Sequence, residues 1–445
     1  MSYIERVIDD LKTKDYYQKE FLQAVEEVLY ATKPIFDKHP EYEDMALLER
    51  LVEPERIIKF KVPWTDDKGK IHVNRGYRIQ FSGVLGPYKG GLRFHPSVNE
   101  SIIKFLGFEQ IFKNALTTMP IGGGKGGSDF DPKGKSEAEI KRFCQSFILE
   151  LSHHIGSDID VPAGDMGVSG REIGYMYGYY KRIKNASERG VLTGKGIGYG
   201  GSLARIEATG YGLLYFFEEM MKHHNISFKG ENCVISGSGN VAIYAGQKAQ
   251  QLDMKVIAMS DSKGYILDNN INVEVVRHIK EDLKKGLDIY PELAKSGTYH
   301  KGSVYDIDHS AKFIFPCATQ NEINKDRAKR LIANGVISVC EGANMPNDNH
   351  AIELYLENDI LFAPGKAANA GGVATSALEM AQNSSRLTWT FEEVDAKLKQ
   401  IMINIHEQCI KSLKEYNLKH NNYMAGANLA SMQKVLDAMI QMGDY

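Results

Sequence analysis

The chain has 445 residues, of which 43% are hydrophobic and 25% charged, with 54 Lys plus Arg against 57 Asp plus Glu. This composition excludes an intrinsically disordered, collagen-like or disulfide-rich chain. A formal net charge of −3 offers no basic surface for nucleic acid, and no apolar run approaches the roughly 20 residues of a membrane helix. The N-terminal residues MSYIERVIDDLK lack the basic-then-apolar order of a secretory signal. We therefore expect a cytoplasmic enzyme with no nucleic-acid or membrane partner.

The five cysteines lie far apart and form no C-x-x-C pair. An odd number of scattered cysteines is typical of a reducing compartment and argues against both disulfides and structural zinc. The adjacent histidine pairs at 153–154 and 223–224 would point about 100° apart on a helix, so they do not form a ligand pair. We expect no metal site.

The N-terminal half predicts helices, then a hairpin, then a glycine-rich region. Apolar residues recur at helical spacing over the first 55 residues. Residues 56–82 contain two alternating apolar and polar runs around the turn Asp66–Gly69, which predicts a β-hairpin. Between about 83 and 200 the chain is rich in glycine, with helical patterns at 99–115 and 136–154.

From about residue 230 short apolar runs alternate with helical stretches. The runs are NCVISG, MKVIAMSD, AKFIFPC, VISVCEG and DILFAPG. Alternating strands and crossover helices predict a parallel sheet covered on both faces, and the segments 391–418 and 423–440 again predict helices. The fold class is therefore α/β, with a mixed α/β substrate domain, a doubly wound Rossmann-type domain and a cleft between them.

Two segments match the dinucleotide fingerprint G-x-G-x-x-[GA], at 196–201 and at 237–242. The first follows a polar, broken segment and is interpreted as a connection between domains. The second follows the short apolar run 233–236 and precedes an amphipathic helix, and a further strand ends in Asp261. This order is what the fingerprint requires, because the glycines permit a tight turn and bring a helix N-terminus to the pyrophosphate. An ordinary βαβ turn is the alternative.

The coenzyme is left open by these residues alone. A carboxylate such as that of Asp261 at the end of the second strand usually binds the ribose 2′-hydroxyl of NAD. The following Ser262 and Lys263 instead offer donors for the 2′-phosphate of NADP. Both NAD and NADP therefore fit the sequence at this point.

Three lysines lie in or near glycine-rich segments within forty residues, at Lys89, Lys113 and Lys125. Two of them could bind the two ends of a dicarboxylate, while a third, partly desolvated, would have a pKa lowered toward the range of an acid–base group. The alternative for each is a solvated surface lysine. Asp165 in VPAGDMG could exchange protons beside such a lysine, or could simply form a turn or a helix cap.

Several motifs in order resemble the hexameric glutamate dehydrogenases of bacteria and lower eukaryotes. The motifs are GPYKGGLRFHPSV, FEQIFKNALTTMPIGGGKGG, DVPAGDMG, SGSGNVA, PCATQNEI, EGANMP and APGKAANAGGVATSALEMAQN. The resemblance implies a substrate and oligomerisation domain over 1–200, completed by the C-terminal helix 424–445, and an NAD(P)-binding domain over 201–423. It also implies a homohexamer that interconverts L-glutamate with 2-oxoglutarate and ammonium, a reaction of ammonium assimilation.

The resemblance also implies roles for individual residues. Lys125 corresponds to the catalytic lysine and Asp165 to the carboxylate that moves protons. The implied substrate-binding residues are Lys89, Gln110, Lys113, Gly164 and Ser376. The implied coenzyme-binding residues are Thr209, Gly237, Ser238, Gly239, Asn240, Asp261, Ser262 and Asn369.

Comparison with related dehydrogenases favours one substrate and one coenzyme. The related leucine, valine and phenylalanine dehydrogenases have apolar residues where this chain has Lys89 and Ser376, which favours glutamate. The SDS run at 260–262 resembles the NADP-preferring members, so NADP is favoured and NAD is the alternative. A catalytically inactive nucleotide sensor of the same fold is the alternative from another class.

Overall fold

The computed structural model describes residues 1–443, and the chain divides into two compact units. Unit 1 contains Met1–Leu203, Ala374–Val394 and the C-terminal segment from Asn428, and unit 2 contains Ala204–Val373 and Asp395–Ala427. The assignment of functional domains to the chain stays a prediction. Across residues 1–443 no helix combines the length and the apolar character that crossing a membrane requires.

Unit 1 consists of helices around a five-stranded sheet. Its elements before residue 204 are α1 (Tyr3–Lys14), α2 (Lys19–Ala31), α3 (Lys33–Lys38), α4 (Leu47–Val52), β1 (Arg56–Thr65), β2 (Ile71–Ser82), β3 (Tyr88–Phe94), α5 (Glu100–Leu116), β4 (Gly123–Ser128), α6 (Glu137–Leu151), β5 (Asp160–Gly164) and α7 (Gly170–Lys184). The strand order is β1-β2-β4-β3-β5. The N-terminal helices, the β1–β2 hairpin and helices α5 and α6 confirm the predictions for these segments.

Three helices of unit 1 begin with the same local arrangement. Ser2, Ser136 and Ser169 are the N-cap residues of α1, α6 and α7, and each is followed three residues later by a glutamate. The serine side chain accepts a backbone N–H of the first turn, while the glutamate carboxylate accepts the N–H of the serine. This capping box fixes where each helix starts.

Strands β3, β4 and β5 lie in the glycine-rich region, where the sequence predicted only helices. A glycine-rich strand is difficult to predict from sequence, because glycine has no side chain to alternate between the two faces of a sheet. Here it is required by close packing: a Cβ at Gly126 would lie 2.7 Å from the carbonyl oxygen of Tyr77 and 2.8 Å from Cδ2 of Leu92. β3 runs parallel to both β4 and β5, with Leu92 opposite Gly126 and Lys89 opposite Val161.

Unit 2 is built around a seven-stranded sheet. Its elements are α8 (Ala208–His223), β6 (Asn232–Ile235), α9 (Asn240–Gln251), β7 (Lys255–Ser260), β8 (Gly264–Leu267), α10 (Val273–Arg277), α11 (Tyr290–Ala294), β9 (Thr298–Lys301), β10 (Phe313–Phe315), α12 (Lys325–Ala333), β11 (Ser338–Cys340), α13 (Asn349–Glu357), β12 (Leu361–Ala363) and α14 (Gly365–Ala368). Three long helices follow in the chain and have residues in both units, α15 (Gly371–Ser385), α16 (Phe391–Glu415) and α17 (Tyr423–Met442). The helices predicted at 391–418 and 423–440 are thereby confirmed.

The strand order of this sheet is β12-β11-β10-β6-β7-β8-β9. The pairs from β12 to β7 are parallel, while β8 and β9 are antiparallel additions at one edge. Among the parallel strands of this sheet, β6 comes first in the chain, β7 is added on one side of it, and β10 is later added on the other side. The order therefore reverses between β6 and β10, the position at which doubly wound sheets bind ligands. The predicted doubly wound fold is confirmed.

Candidate active site

Lys125, Asp165 and Arg93 meet on three neighbouring strands of unit 1. Lys125 lies on β4, Arg93 on β3, and Asp165 directly follows β5. Oδ2 of Asp165 lies 3.0 Å from Nζ of Lys125 and 3.0 Å from Nε of Arg93. The two residues predicted to do the chemistry are therefore in contact. Arg93 was not identified from the sequence, although it lies four residues after Lys89 and thus shares its strand parity.

The backbone around this carboxylate has no room for side chains. A Cβ at Gly91 would lie 2.8 Å from Cβ of Asp165, and a Cβ at Gly164 would lie 2.6 Å from the carbonyl oxygen of Val168. Asp165 is the first residue of a turn in which the N–H of Val168 donates to its carbonyl. Asp165 thus forms a turn through its backbone, as the structural alternative proposed, while its side chain contacts Lys125.

Burial and charge shift the pKa values of the pair in the same direction. Burial lowers the pKa of the Lys125 ammonium below its usual range, the facing Asp165 carboxylate opposes this, and Arg93 and Arg78 reinforce it. Burial alone would raise the pKa of Asp165, but Lys125 and Arg93 outweigh it and hold that pKa below its usual range. The carboxylate is therefore ionised, while the lysine loses its proton more readily than a surface lysine does.

A fully buried ion pair between Arg78 and Asp160 supports the sheet beside these residues. Nε of Arg78 donates to Oδ2 of Asp160 at 2.8 Å, and Nη1 donates to the carbonyl of Gly90 at 3.1 Å. Gln80 donates to the same carboxylate at 3.1 Å. These bonds link β2, β3 and β5, the strands beside which Lys125 and Asp165 lie, so the pair fixes the backbone that carries the site.

Lys89 is buried in unit 1, with 1% of its surface exposed. Its Nζ donates to the carbonyl of Val161 at 3.0 Å and to Oγ1 of Thr193 at 2.7 Å. The surface-lysine alternative is therefore wrong for Lys89, and Lys125 is buried as well. Thr193 was missed because it lies 104 residues away and no local pattern marks it.

Gln110 and Lys113 lie one turn apart on α5, and both are partly buried. Nε2 of Gln110 donates to Oδ1 of Asn114 at 2.7 Å. Asn114 in turn donates to the carbonyl of Lys89 at 3.0 Å and to that of Gly122 at 2.6 Å. This network positions α5 against β3 and the loop before β4.

Ser376 lies on α15, also in unit 1, and is buried with 3% of its surface exposed. The glycine-rich segment 196–201 contacts the same helix: Asn383 donates to the carbonyl of Gly200 at 3.0 Å, and Gln382 donates to Ser202 at 2.8 Å. The described chain places a short 3₁₀ turn at Ile197–Tyr199 and no strand directly before it. The segment is therefore not a dinucleotide fingerprint, and its role as a connection stays a prediction.

In unit 2 the segment 237–240 joins β6 to α9 at the point where the strand order reverses. Gly237 has a φ of +88°, and a Cβ there would lie 3.1 Å from Cα of Ala318 in the loop after β10. Gly239 is the N-cap of α9, no side chain caps this helix, and a Cβ at Gly239 would enter open space. Ser238 is buried and Asn240 exposed. The backbone N–H groups of α9 thus fit a pyrophosphate.

Asp261 follows β7, and its carboxylate accepts three backbone N–H groups. Oδ1 accepts from Lys263 at 2.9 Å and from Gly264 at 3.1 Å, while Oδ2 accepts from Leu287 at 2.9 Å. These bonds order the loop and partly compensate the charge of the carboxylate. Ser262 and Lys263 are exposed beside it.

Thr209 and Asn369 complete the predicted coenzyme residues. Thr209 lies in the first turn of α8, and a Cβ at Gly372 would lie 2.7 Å from its Oγ1. Asn369 is buried, and its Nδ2 donates to Oδ1 of Asn344 at 2.9 Å in the loop after β11. Both residues therefore lie in unit 2 with the fingerprint segment.

Within residues 1–443 no three or more His, Cys, Asp or Glu side chains lie close enough together to hold a metal ion. All five cysteines are buried free thiols.

Comparison with known proteins gives matches over the whole chain. Residues 200–443 match the family "Glutamate/Leucine/Phenylalanine/Valine dehydrogenase", and residues 54–182 match "Glu/Leu/Phe/Val dehydrogenase, dimerisation domain". The NADP-specific glutamate dehydrogenase of Salmonella typhimurium is 52% identical, over 99% of this chain and 98% of its own. The NAD-specific enzyme of Clostridium symbiosum is 50% identical, with 99% of each chain covered.

A solved structure gives the same result. The glutamate dehydrogenase of Plasmodium falciparum superposes with a TM-score of 0.95 at 50% identity, covering 99% of this chain and 94% of its own. These matches agree with the fold described above. The chain belongs to the Glu/Leu/Phe/Val dehydrogenase family.

Proposed function

We propose that the chain is a glutamate dehydrogenase that interconverts L-glutamate with 2-oxoglutarate and ammonium, using NADP(H). The observation that carries this proposal is the 3.0 Å contact between the buried Lys125 and the partly buried Asp165, on the same sheet as a second buried lysine, Lys89. A buried ammonium favours a carboxylate ligand, and it would be costly in a pocket for an apolar side chain. The relatives with full-length similarity are glutamate dehydrogenases.

We assign the substrate's two carboxylates to separate groups. Lys89, with Ser376, binds the γ-carboxylate, and Lys113, with Gln110, binds the α-carboxylate. The backbone at Gly164, which a side chain would obstruct, contacts the substrate between them. Opposite charges at both ends of a five-carbon dicarboxylate fix its orientation, so the reacting carbon is presented in one geometry.

Lys125 and Asp165 carry the proton chemistry. The α-ammonium of glutamate first gives one proton to the ionised carboxylate of Asp165, which passes it to solvent. When bound, the nicotinamide would supply hydride acceptance from the α-carbon, which leaves an iminium on the substrate. Lys125, with its lowered pKa, holds a water beside that carbon. It takes a proton from the water as the bond between the water oxygen and the carbon forms. Asp165 exchanges protons with Lys125 and with the departing nitrogen, so ammonium leaves and 2-oxoglutarate remains. In balance, glutamate, water and the oxidised coenzyme give 2-oxoglutarate, ammonium, the reduced coenzyme and one proton.

We assign the coenzyme to unit 2. Gly237, Ser238, Gly239 and Asn240 hold the pyrophosphate at the N-terminus of α9. Thr209 also binds the coenzyme, and Asn369 lies near the nicotinamide amide. NADP is supported by the exposed Ser262 and Lys263 and by the engagement of the Asp261 carboxylate with three N–H groups. NAD is the second candidate, supported by the similarity to an NAD-specific glutamate dehydrogenase.

We further propose that the protein assembles as a homohexamer and works in ammonium assimilation in the cytoplasm. The match of residues 54–182 to a dimerisation domain supports assembly. The five buried free thiols fit a reducing compartment.

A spectrophotometric assay tests the proposal. Purified protein is mixed with 2-oxoglutarate, ammonium and either NADPH or NADH, and oxidation of the coenzyme is followed. We expect turnover with both substrates present, none when either is omitted, and a preference for NADPH. Binding of NADPH without turnover would identify the inactive sensor instead, and a preference for NADH would reverse the coenzyme assignment.

A further inference from the structure

A buried ion pair between Lys195 and Glu379 lies beside residues assigned to the substrate, and the mechanism does not use it. Nζ of Lys195 lies 2.7 Å from Oε1 of Glu379, and the side chains are 0% and 1% exposed. Lys195 also donates to the carbonyl of Leu192. Both members of the pair belong to unit 1.

The Glu379 carboxylate holds a loop as well as a lysine. Oε2 accepts the N–H of Gly194 at 3.0 Å, and Oε1 accepts the N–H of Lys195 at 3.4 Å. The same loop contains Thr193, whose Oγ1 accepts from Lys89 and whose N–H donates to the carbonyl of Pro162. One carboxylate therefore fixes the segment that presents Thr193.

Glu379 lies on α15 one turn after Ser376. Residues three apart are neighbours on a helix surface. Any shift of Glu379 relative to the 193–195 loop therefore also moves Ser376 relative to Thr193 and Lys89. A buried charge pair of this kind contributes little net stability, because the cost of desolvation offsets the attraction between the charges. Removal of either partner leaves an uncompensated buried charge, so the pair keeps α15 and the 193–195 loop together.

We propose that Lys195 and Glu379 are positioning residues that set the spacing between Ser376 and the Lys89–Thr193 pair, and thereby the selectivity for substrates with a distal carboxylate. This inference rests on the proposed function. It predicts that loss of the pair weakens recognition of the γ-carboxylate while the reaction at the α-carbon continues.

The test compares L-glutamate with L-norvaline, which has the same five-carbon chain without the distal carboxylate. The variants are Glu379→Gln and Lys195→Met, which keep the volume of the side chain and remove the charge pair. We expect kcat/KM for glutamate to fall by about 10- to 100-fold, mainly through KM, as a misplaced binding group would cause. We expect kcat/KM for norvaline to stay within about threefold, because norvaline does not use the displaced group.

The matched control is Lys104→Met, which removes a buried lysine paired with Asp15 at 2.6 Å in the same unit. It should leave the ratio of glutamate to norvaline activity unchanged. An equal fall for both substrates in the pair variants, or no fall, would overturn the proposal. If Glu379→Gln does not fold, Lys195→Met decides, and if neither folds while Lys104→Met does, the pair is purely structural and the proposal fails. A wild-type protein inactive on glutamate with both coenzymes would instead refute the proposed function.

Discussion

Replacing Asp165 with asparagine removes the charge that lies between two cations and leaves the shape of the side chain nearly unchanged. The carboxylate is 3.0 Å from both Lys125 and Arg93. At an effective dielectric constant of about 20, the Coulomb attraction within each pair is about 5 kcal/mol before the cost of desolvation is counted. The variant leaves the charges of Lys125 and Arg93 without compensation, so the pKa of Lys125 falls further. The proton exchange between residue 165 and the substrate nitrogen is lost.

The expected result is a fall in kcat of about 10²- to 10⁴-fold, the usual contribution of a general acid–base group, or about 3–5 kcal/mol in the barrier. The assay is coenzyme reduction with saturating glutamate, together with NADPH binding followed by its fluorescence, which should be unchanged. Asp67→Asn is the control, since Asp67 pairs with Arg142 on the surface at 2.6 Å and should not alter kcat. A kcat for Asp165→Asn within tenfold of the wild type would refute the assigned role.

Three further substitutions test the catalytic lysine, the residues assigned to the γ-carboxylate and a buried carboxyl group of unit 2. Lys125→Ala should abolish turnover and leave NADPH binding intact, and turnover within tenfold of the wild type would contradict its role. Lys89→Leu with Ser376→Val should exchange activity on glutamate for activity on apolar amino acids, and an unchanged preference would remove the γ-carboxylate assignment. Glu341 directly follows β11 in unit 2 and is buried, with 4% of its surface exposed. Burial raises its pKa to about 7 from the usual 4.5. The folded protein therefore binds this proton more tightly, and the resulting stabilisation is complete below about pH 4.5 and is lost as the pH rises from there through 7. Between about pH 6 and about pH 9 the free energy of unfolding of the wild type should therefore fall by about 1 kcal/mol more than that of Glu341→Gln, measured by denaturant titrations. An equal fall in both proteins would contradict this.

The sequence predicted those parts of the fold that have a regular side-chain pattern. The alternation in 56–82 predicted the β1–β2 hairpin, and the apolar runs from 230 onward predicted the parallel sheet, because side chains there report which face is buried. Strand β4, with the sequence GGKGGS, has almost no side chains and gave no such signal. Its glycines are required by close packing, which only the three-dimensional arrangement reveals.

The candidate site divides in a similar way. Lys125 and Asp165 could be proposed from their surroundings and from the resemblance, and the structure shows them in contact. Arg93, the partner of Asp165, was missed although it shares the strand parity of Lys89. Thr193, the partner of Lys89, could not be proposed, because that contact joins residues 104 positions apart. Glu379 is a similar case, since its contact with Lys195 spans 184 residues. Local pattern thus identifies the reactive residues, and only tertiary structure identifies the residues that hold them.

The central claim is that one dicarboxylate is bound at both ends by separate lysines while Lys125 acts on the carbon beside the α-carboxylate. A crystal structure of the protein with 2-oxoglutarate tests it most directly. We expect the γ-carboxylate within about 3 Å of Nζ of Lys89, the α-carboxylate at Lys113 and the keto group beside Lys125. A ligand bound through other residues, with these three ammonium groups not contacting it, would contradict the account.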